Sequence, residues 1–391
     1  MRKFAWFASF LFLAGISMGI LLFTPISVAA IGEVTPTPDP DAAVEEPLED
    51  IDVEALVDEG LSDIQNGDFR SALAKMDVVI EFDDTVSLAY VIRGIANSQL
   101  GFADDATDDF TMAIDLEPWN ADYYQLRGDV AFSDGALVDA LLDYDQVIRI
   151  NGFSSVAYLR RSNTNYGLGD STAGDVDDFI ARALSALGNG DVMSALGFLD
   201  EAIDIGEGLE SLGNAYYIRA FANGNLGDSD AQLEDYEAAL DANPNLHIVY
   251  LARGIYFREN GDLGAAGKDF YDRIIIHGAE TITEEMVIGD TLEVQMAYRR
   301  VVEITFDGKA GQEISIAASD FGGAVVDPLM TLLDPDGNPI AGDDDFGGGL
   351  NALIDGFELP EDGTYTLLVS HAEGGYNFGF NGIVEVEITE E

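Results

Sequence analysis

A spacing of 34 residues runs through the middle of this chain and restricts its fold more than any figure of composition. In the stretch Ala89–Asp122, Tyr90 lies four residues before Gly94, and Ala106, Phe110, Ala113 and Pro118 lie 12, 16, 19 and 24 residues after it. One period later the same offsets hold Gly128 with Tyr124, Ala140, Tyr144 and Val147; one period earlier they hold Gly60 with Leu56, Ala72 and Met76. The reference position continues at Ser162 and resumes at Ala220 and Gly254. Ser162 and Ala220 are 58 residues apart, 24 more than one period, so a further unit has to fit between them out of phase. Asn189-Gly190-Asp191 with Ser194-Ala195-Leu196 repeats Asn66-Gly67-Asp68 with Ser71-Ala72-Leu73, which sets the fifth reference position at Ala183. The second helix of the fourth unit is therefore expected to merge, around residues 173–187, into the first helix of the fifth. A fixed period of this length is the signature of a stacked array.

Each unit reads as two helices joined by a glycine-rich turn. The aromatics Tyr90, Tyr124, Tyr158, Phe179, Tyr216 and Tyr250 mark the first helix, and pairs such as Ala106/Phe110, Ala140/Tyr144 and Ala266/Phe270 mark the second. Spacings of three and four place these residues on one helical face. No unit buries that face alone, so the units stack into a solenoid. The pattern resembles the tetratricopeptide repeat family in its bacterial Tyr-x-x-Arg-Gly form, over about six to seven units spanning residues 53–280.

In five units an arginine before the reference position, at Arg93, Arg127, Arg161, Arg219 and Arg253, is followed 16 residues later by an aspartate, at Asp109, Asp143, Asp177, Asp235 and Asp269. In the first unit the two positions hold Glu59 and Lys75, with the signs exchanged. A swap that keeps opposite charge predicts an ion pair across the two helices in each of these six units. If exposed, such a pair contributes ~0.2–1 kcal/mol.

The resemblance implies that the first helices line a concave face where partner proteins bind. The positions it assigns to that groove are Val91, Ile95, Gln125, Asp129, Leu159, Asn163, Tyr217, Phe221, Leu251 and Ile255. They are mostly apolar or neutral and contain no basic cluster, which disfavours a clamp for acidic peptide termini and favours a protein or peptide with a neutral or apolar segment. The alternative is that several of them pack between neighbouring helices.

The start of the chain is of another kind. In residues 1–30, Arg2 and Lys3 precede an apolar run from Phe4 to Phe23, Pro25 breaks it, and Val28-Ala29-Ala30 offers small residues for cleavage. This is a signal peptide or, since the run approaches the ~20 residues that span a bilayer, an uncleaved anchor. Either places the rest of the chain outside the cytoplasm, secreted or held at the outer face of the membrane. Residues 31–52 are a proline-rich acidic linker without enough apolar surface to fold.

After residue 280 the period falls towards two. Runs at 293–306, 313–318, 329–333, 357–359, 364–369, 376–380 and 383–388, punctuated by Gly, Pro, Asp and Asn, predict an all-β, jelly-roll-like sandwich over residues 281–391. Asp327-Pro328-Leu329, Leu333-Asp334-Pro335-Asp336-Gly337-Asn338, Asp343-Asp344-Asp345 and Pro360-Glu361-Asp362-Gly363-Thr364-Tyr365 come one after another in an order that resembles the bacterial pre-peptidase C-terminal domain. Asp334, Asp336, Asn338, Asp343, Asp344 and Asp345 put oxygen ligands into two turns, the donor set that calcium takes. Calcium is the one cofactor these residues suggest; the plainer reading is ordinary Asp-Gly turn chemistry.

With 18 Lys+Arg against 73 Asp+Glu the chain carries a net charge of −55, which repels phosphate backbones and excludes nucleic acid as a partner. A solvated surface, adaptation to high salt and cation binding each account for such a balance. There is no cysteine, hence no thiol nucleophile. The three histidines lie far apart in sequence, and neither a G-x-S-x-G motif nor a phosphate-binding loop occurs. The expectation is an exported, non-enzymatic scaffold that binds through the groove, with the sandwich attaching to a surface. The rival is a carbohydrate- or matrix-binding protein in which the sandwich binds and the repeats are a spacer.

Overall fold

The structure, a computed structural model, describes residues 51–321, 326–345, 347, 350–372 and 382–390. The leader, the linker up to residue 50 and the strand expected over 376–380 lie outside the described residues.

Glycine and aspartate set the helix boundaries. Gly67, Gly101, Gly169 and Gly227 end helices in the left-handed region, where a side chain would be strained. An aspartate commonly comes next: Asp68, Asp170, Asp191, Asp228 and Asp262 each accept a hydrogen bond from the backbone N–H three residues on and so cap the next helix. Thirteen helices result among the described residues: α1 Val53–Asn66, α2 Phe69–Phe82, α3 Ser87–Leu100, α4 Ala103–Leu116, α5 Ala121–Ser133, α6 Leu137–Ile150, α7 Ser155–Leu168, α8 Ser171–Gly188, α9 Val192–Ile205, α10 Leu212–Leu226, α11 Ser229–Ala242, α12 His247–Glu259 and α13 Leu263–His277. None is long and apolar enough to cross a membrane.

The helices stack as antiparallel hairpins. Ala72, Ala106, Ala140 and Ala266 are fully buried where paired helices cross. The reference glycines serve the same approach: a Cβ on Gly94 would lie 2.8 Å from the Phe110 ring, and one on Gly254 2.5 Å from the Phe270 ring. The out-of-phase unit resolves into one helix. α8 has 18 residues; Asp177 in its first half faces Arg161 of α7, and buried Ala183 and Leu187 in its second half join Ala195 and Leu199 of α9 in one core. It is at once the second helix of the fourth unit and the first of the fifth.

The remaining chain forms two packed sheets. One has the order β1-β3-β8-β5-β6, with β1 Glu280–Glu285, β3 Arg300–Gly308, β8 Gly363–His371, β5 Pro328–Leu333 and β6 Pro339–Asp343. The other has the order β2-β9-β4-β7, with β2 Thr291–Met296, β9 Gly382–Glu390, β4 Glu313–Phe321 and β7 Ala352–Glu358. Among the described residues all pairings are antiparallel except β1 with β3, which run parallel from Glu280 opposite Arg300. Alternate residues of both sheets, among them Val302, Ile304, Ile316, Leu332, Tyr365, Leu367 and Val386, fill a common core. The run expected over 293–306 is two strands, separated by a turn at Ala297–Arg299.

Solenoid and sandwich share a third core. Leu251, Phe270 and Ile274 pack with Val301, Leu329, Leu333 and Leu368, each such side chain contributing ~1.5–3 kcal/mol on burial. α13 lies so close to β6 that a Cβ on Gly267 would stand 2.6 Å from the backbone of Ala341. Thr331 Oγ1 donates to the Gly267 carbonyl at 2.9 Å, and Arg258 Nε donates to Asp343 Oδ1 at 2.5 Å.

Candidate partner-binding site

The stripe that the resemblance assigns to a concave face lies on first helices whose apolar positions recur at intervals of three and four, but its successive copies meet different surroundings. On α3, Val91 is buried among Phe110, Tyr123 and Val130, while Ile95 is half-buried. On α5, Gln125 is half-buried, and Asp129 accepts a hydrogen bond from Tyr144 Oη at 2.7 Å and pairs with Arg160 at 3.2 Å. Burial pushes the Asp129 carboxyl up, against the pull of these two partners. On α7, Leu159 is 48% exposed and Asn163 is exposed, its amide donating to the Leu159 carbonyl. Tyr166, one turn further, is 44% exposed, with its hydroxyl on Asp175.

Farther along, the stripe is occupied from within. The Tyr217 and Phe221 rings of α10 lie 5.5 and 5.1 Å from Phe153, which rises from the α6–α7 loop. Tyr217 is buried, and the desolvation carries its hydroxyl pKa upward. On α12 the whole stripe is covered: Ile248, Leu251 and Ile255 pack on the shared core, and Arg258 pairs with Asp343. The groove positions Leu251 and Ile255 therefore face the protein's own sandwich. The family pattern gives the face on which they lie and cannot give what covers them.

Behind the groove runs a ladder of charge. Arg93–Asp109, Arg127–Asp143, Arg161–Asp177, Arg219–Asp235 and Arg253–Asp269 are joined at 2.6–2.8 Å, and Lys75–Glu59 at 3.0 Å. The five aspartates are buried, so these pairs are not the exposed kind to which the smallest energies apply. Sequence reasoning missed the second partner. Arg93 also reaches Asp77, Arg161 reaches Asp145 and Arg219 reaches Asp200, each on the preceding helix, at 2.7–2.8 Å; Arg127 donates to Thr111 there. Each of these four guanidinium groups thus ties its own hairpin to the one before. All five also lie 5.3–5.9 Å from the centre of the family aromatic: Tyr90, Tyr124, Tyr158, Tyr216 or Tyr250. Arg182 holds the same place in the fifth unit, over Phe179, and pairs with Asp178.

The calcium donor set does not assemble. The turn with Asp334, Asp336 and Asn338 precedes β6 and Asp343–Asp345 lie at its far end, so the four strand residues Pro339 to Gly342, and roughly 16 Å at ~3.3 Å per step, separate the two groups. The Asp334 carboxylate accepts from the backbone of Asp336 and Asn338 and from the Asn338 amide, which is the turn chemistry itself. Asp343 is held by Arg258 and the Leu353 N–H. Among the described residues no group of three or more His, Asp or Glu is placed to hold a metal ion. Asp344 and Asp345 are instead neighbours of Asp327, whose Oδ1 is buried without a hydrogen-bond partner. Burial and the charge of Asp345 push Asp327 up to about 8. Two of the histidines prove adjacent in space, the rings of His247 and His277 lying 4.7 Å apart.

Residues 222–280 match the family described as tetratricopeptide repeat, and residues 304–371 match the bacterial pre-peptidase C-terminal domain. The chain thus carries tetratricopeptide repeats followed by a pre-peptidase C-terminal domain. This repeat protein is similar to the photosystem I assembly protein Ycf3 of Prochlorococcus marinus subsp. pastoris, 31% identical over 87 residues that cover 20% of the present chain and 50% of Ycf3. The chain spans about half the length of the curated relatives it matches. Among solved structures it is similar to MamA, 18% identical, covering 49% of this chain and 92% of MamA with a TM-score of 0.29. It is also similar to the pre-peptidase C-terminal domain of collagenase from Bacillus anthracis, 16% identical, covering 28% of this chain and 98% of that domain with a TM-score of 0.23.

Proposed function

We propose that this repeat protein is an exported, non-catalytic scaffold that takes up a protein or peptide segment of neutral or apolar character on the concave face between α3 and α7. The observation that carries this reading is the exposure of Leu159 and Asn163 on the same helical stripe whose later copies are covered by Phe153 and by the sandwich. The cation beside them, Arg160, is already paired with Asp129, so an acidic terminus finds no clamp. The sandwich caps the groove at α12 and leaves its second sheet, β2-β9-β4-β7, turned away from the α13 contact for attachment to a surface component. Export rests on Arg2-Lys3 and the apolar run behind them.

The full chain is panned against a random peptide display, and the selected peptides are titrated onto wild type and Leu159→Asp. Selected segments are expected to be neutral or apolar, and Leu159→Asp is expected to weaken them ~10-fold or more, the scale of one buried anchor. Enrichment of acidic C-termini, or equal affinity for the variant, refutes the assignment. N-terminal sequencing of the protein recovered from outside the cytoplasm tests the export, and its recovery only in the cytoplasm refutes it.

A further inference from the structure

The sandwich meets the solenoid at a second place, away from the α13–β6 contact. Trp119, in the α4–α5 loop, lies 5.4 Å from the ring of Tyr298, in the β2–β3 turn, with the planes at 54°. Tyr298 is also 5.9 Å from His277, edge-on at 81°, and His277 is 4.7 Å from His247. A row of four rings therefore links the loop before the third repeat to both ends of the last hairpin. The helices α5 to α11 lie between Trp119 and His247 in the chain.

The turn that presents Tyr298 is unusual in its backbone. Arg299 has φ +59°, the one positive value at a non-glycine residue among those described. Such strain persists where surrounding contacts over-determine it, and it collects at clamps and switches. Here Arg299 Nε donates to the His277 carbonyl at 2.6 Å, while the Arg299 carbonyl accepts from Ala279 N at 2.8 Å and Glu280 N at 3.3 Å. The strained turn is thus fastened to the end of α13, and the residue before it is aimed at Trp119. The two attachments differ in kind. At α12–α13 the sandwich is held by a shared core, a buried ion pair and near backbone contact; at Trp119 a ring-to-ring contact with Tyr298 joins it.

We propose that Trp119 and Tyr298 form a releasable clasp that closes the solenoid over its own sandwich and so gates access to the concave face between α5 and α10. A body seated on the concave stripe of α12 and touching the loop that leads into α5 spans the mouth of the groove between them. The gating of a partner rests on the function proposed above; the clasp itself does not, and it is read without any partner. An aromatic pair of this kind shifts an equilibrium by ~2- to 10-fold.

The test uses the full chain. The sequence has two tryptophans, so Trp6→Phe leaves Trp119 as the sole reporter, and there is no native cysteine to interfere with labelling. In that background Tyr298→Ala is expected to move Trp119 emission to the red and to raise the radius of gyration measured by X-ray scattering, with unchanged far-UV circular dichroism; Tyr298→Phe, which keeps the ring, should behave as wild type. Leu159→Cys is then labelled with a bulky polyethylene glycol maleimide. Tyr298→Ala, and independently Trp119→Leu, are expected to speed labelling ~2- to 10-fold. Unchanged emission and radius in Tyr298→Ala overturn the clasp. A changed radius with an unchanged labelling rate overturns the gating, whatever the peptide selection gives.

Discussion

Asp177→Ala should be the most damaging single change in the charge ladder, for reasons that set its size. Asp177 receives Arg161 Nη2 at 2.6 Å, Arg161 Nε at 2.9 Å and the Asn165 amide at 3.0 Å. The two charged side chains are 10% and 1% exposed. Removing the carboxylate leaves a buried guanidinium with Asp145 alone, itself 42% exposed. An arginine keeps its charge at any ordinary pH even without that carboxylate, so the charge cannot be shed to relieve the loss. Breaking one partner of such a pair costs about 3–5 kcal/mol. The Glu59–Lys75 pair, 61% and 25% exposed, is the internal control, and Glu59→Ala should cost less than ~1 kcal/mol. Replacing both partners, as Arg161→Met with Asp177→Leu, should restore most of the loss, because no orphan charge remains. Urea denaturation followed by far-UV circular dichroism, with hydrogen exchange over α7 and α8 to localise the change, gives the double-mutant cycle. If Asp177→Ala is no worse than Glu59→Ala, or if the double variant equals the sum of the singles, burial does not govern the ladder.

Gly267→Val should loosen the sandwich from the solenoid, since even a Cβ meets Ala341 at 2.6 Å; a loss of about 1–3 kcal/mol is expected, read as faster hydrogen exchange in β6 and α13. Asp327, at about 8 in the folded state, lies above its unfolded value, so its contribution is complete below pH ~4 and is lost as pH rises through 8. The melting temperature of the wild type should therefore fall from pH 5 to 8.5. Asp327→Asn should flatten that slope and gain a few kcal/mol at the alkaline end, about 1.4 kcal/mol for each tenfold change in proton affinity between the folded and unfolded chain; an unaltered slope refutes it. Gly254→Ala, which brings a Cβ to 2.5 Å of the Phe270 ring, should cost about 1–3 kcal/mol by thermal melting.

The array was legible because its period is enforced by packing. Glycine and alanine stand where helices cross, and an insertion that breaks the count, such as the one between Ser162 and Ala220, has one geometric outcome, the long α8. The Arg–Asp pairs were legible because the first unit exchanges their signs. Their second partners were not, since Asp77, Thr111 and Asp145 share a position but not a chemistry. In the sandwich, β6 carries Pro339 and Gly342 and reads as turn; it is a strand because Met330 to Leu333 pair with it and α13 covers it. β1 pairs parallel with β3, and no local pattern announces that partner. The helical stripe was readable from spacing, but that Leu251 shares a core with Leu329 depends on how two domains meet, and Arg258 and Asp343 are 85 residues apart.

Helix α8 has a consequence for how the array comes apart. In an ordinary solenoid each hairpin is a separate thermodynamic unit coupled to its neighbours across an interface. Here the fourth and fifth hairpins own one helix in common, with Asp177 serving one and Ala183 and Leu187 the other. Neither melts while the other keeps that helix, so the two behave as one folding unit about half as long again as its neighbours. The middle of the array is then its most cooperative segment, and fraying from either end stops there.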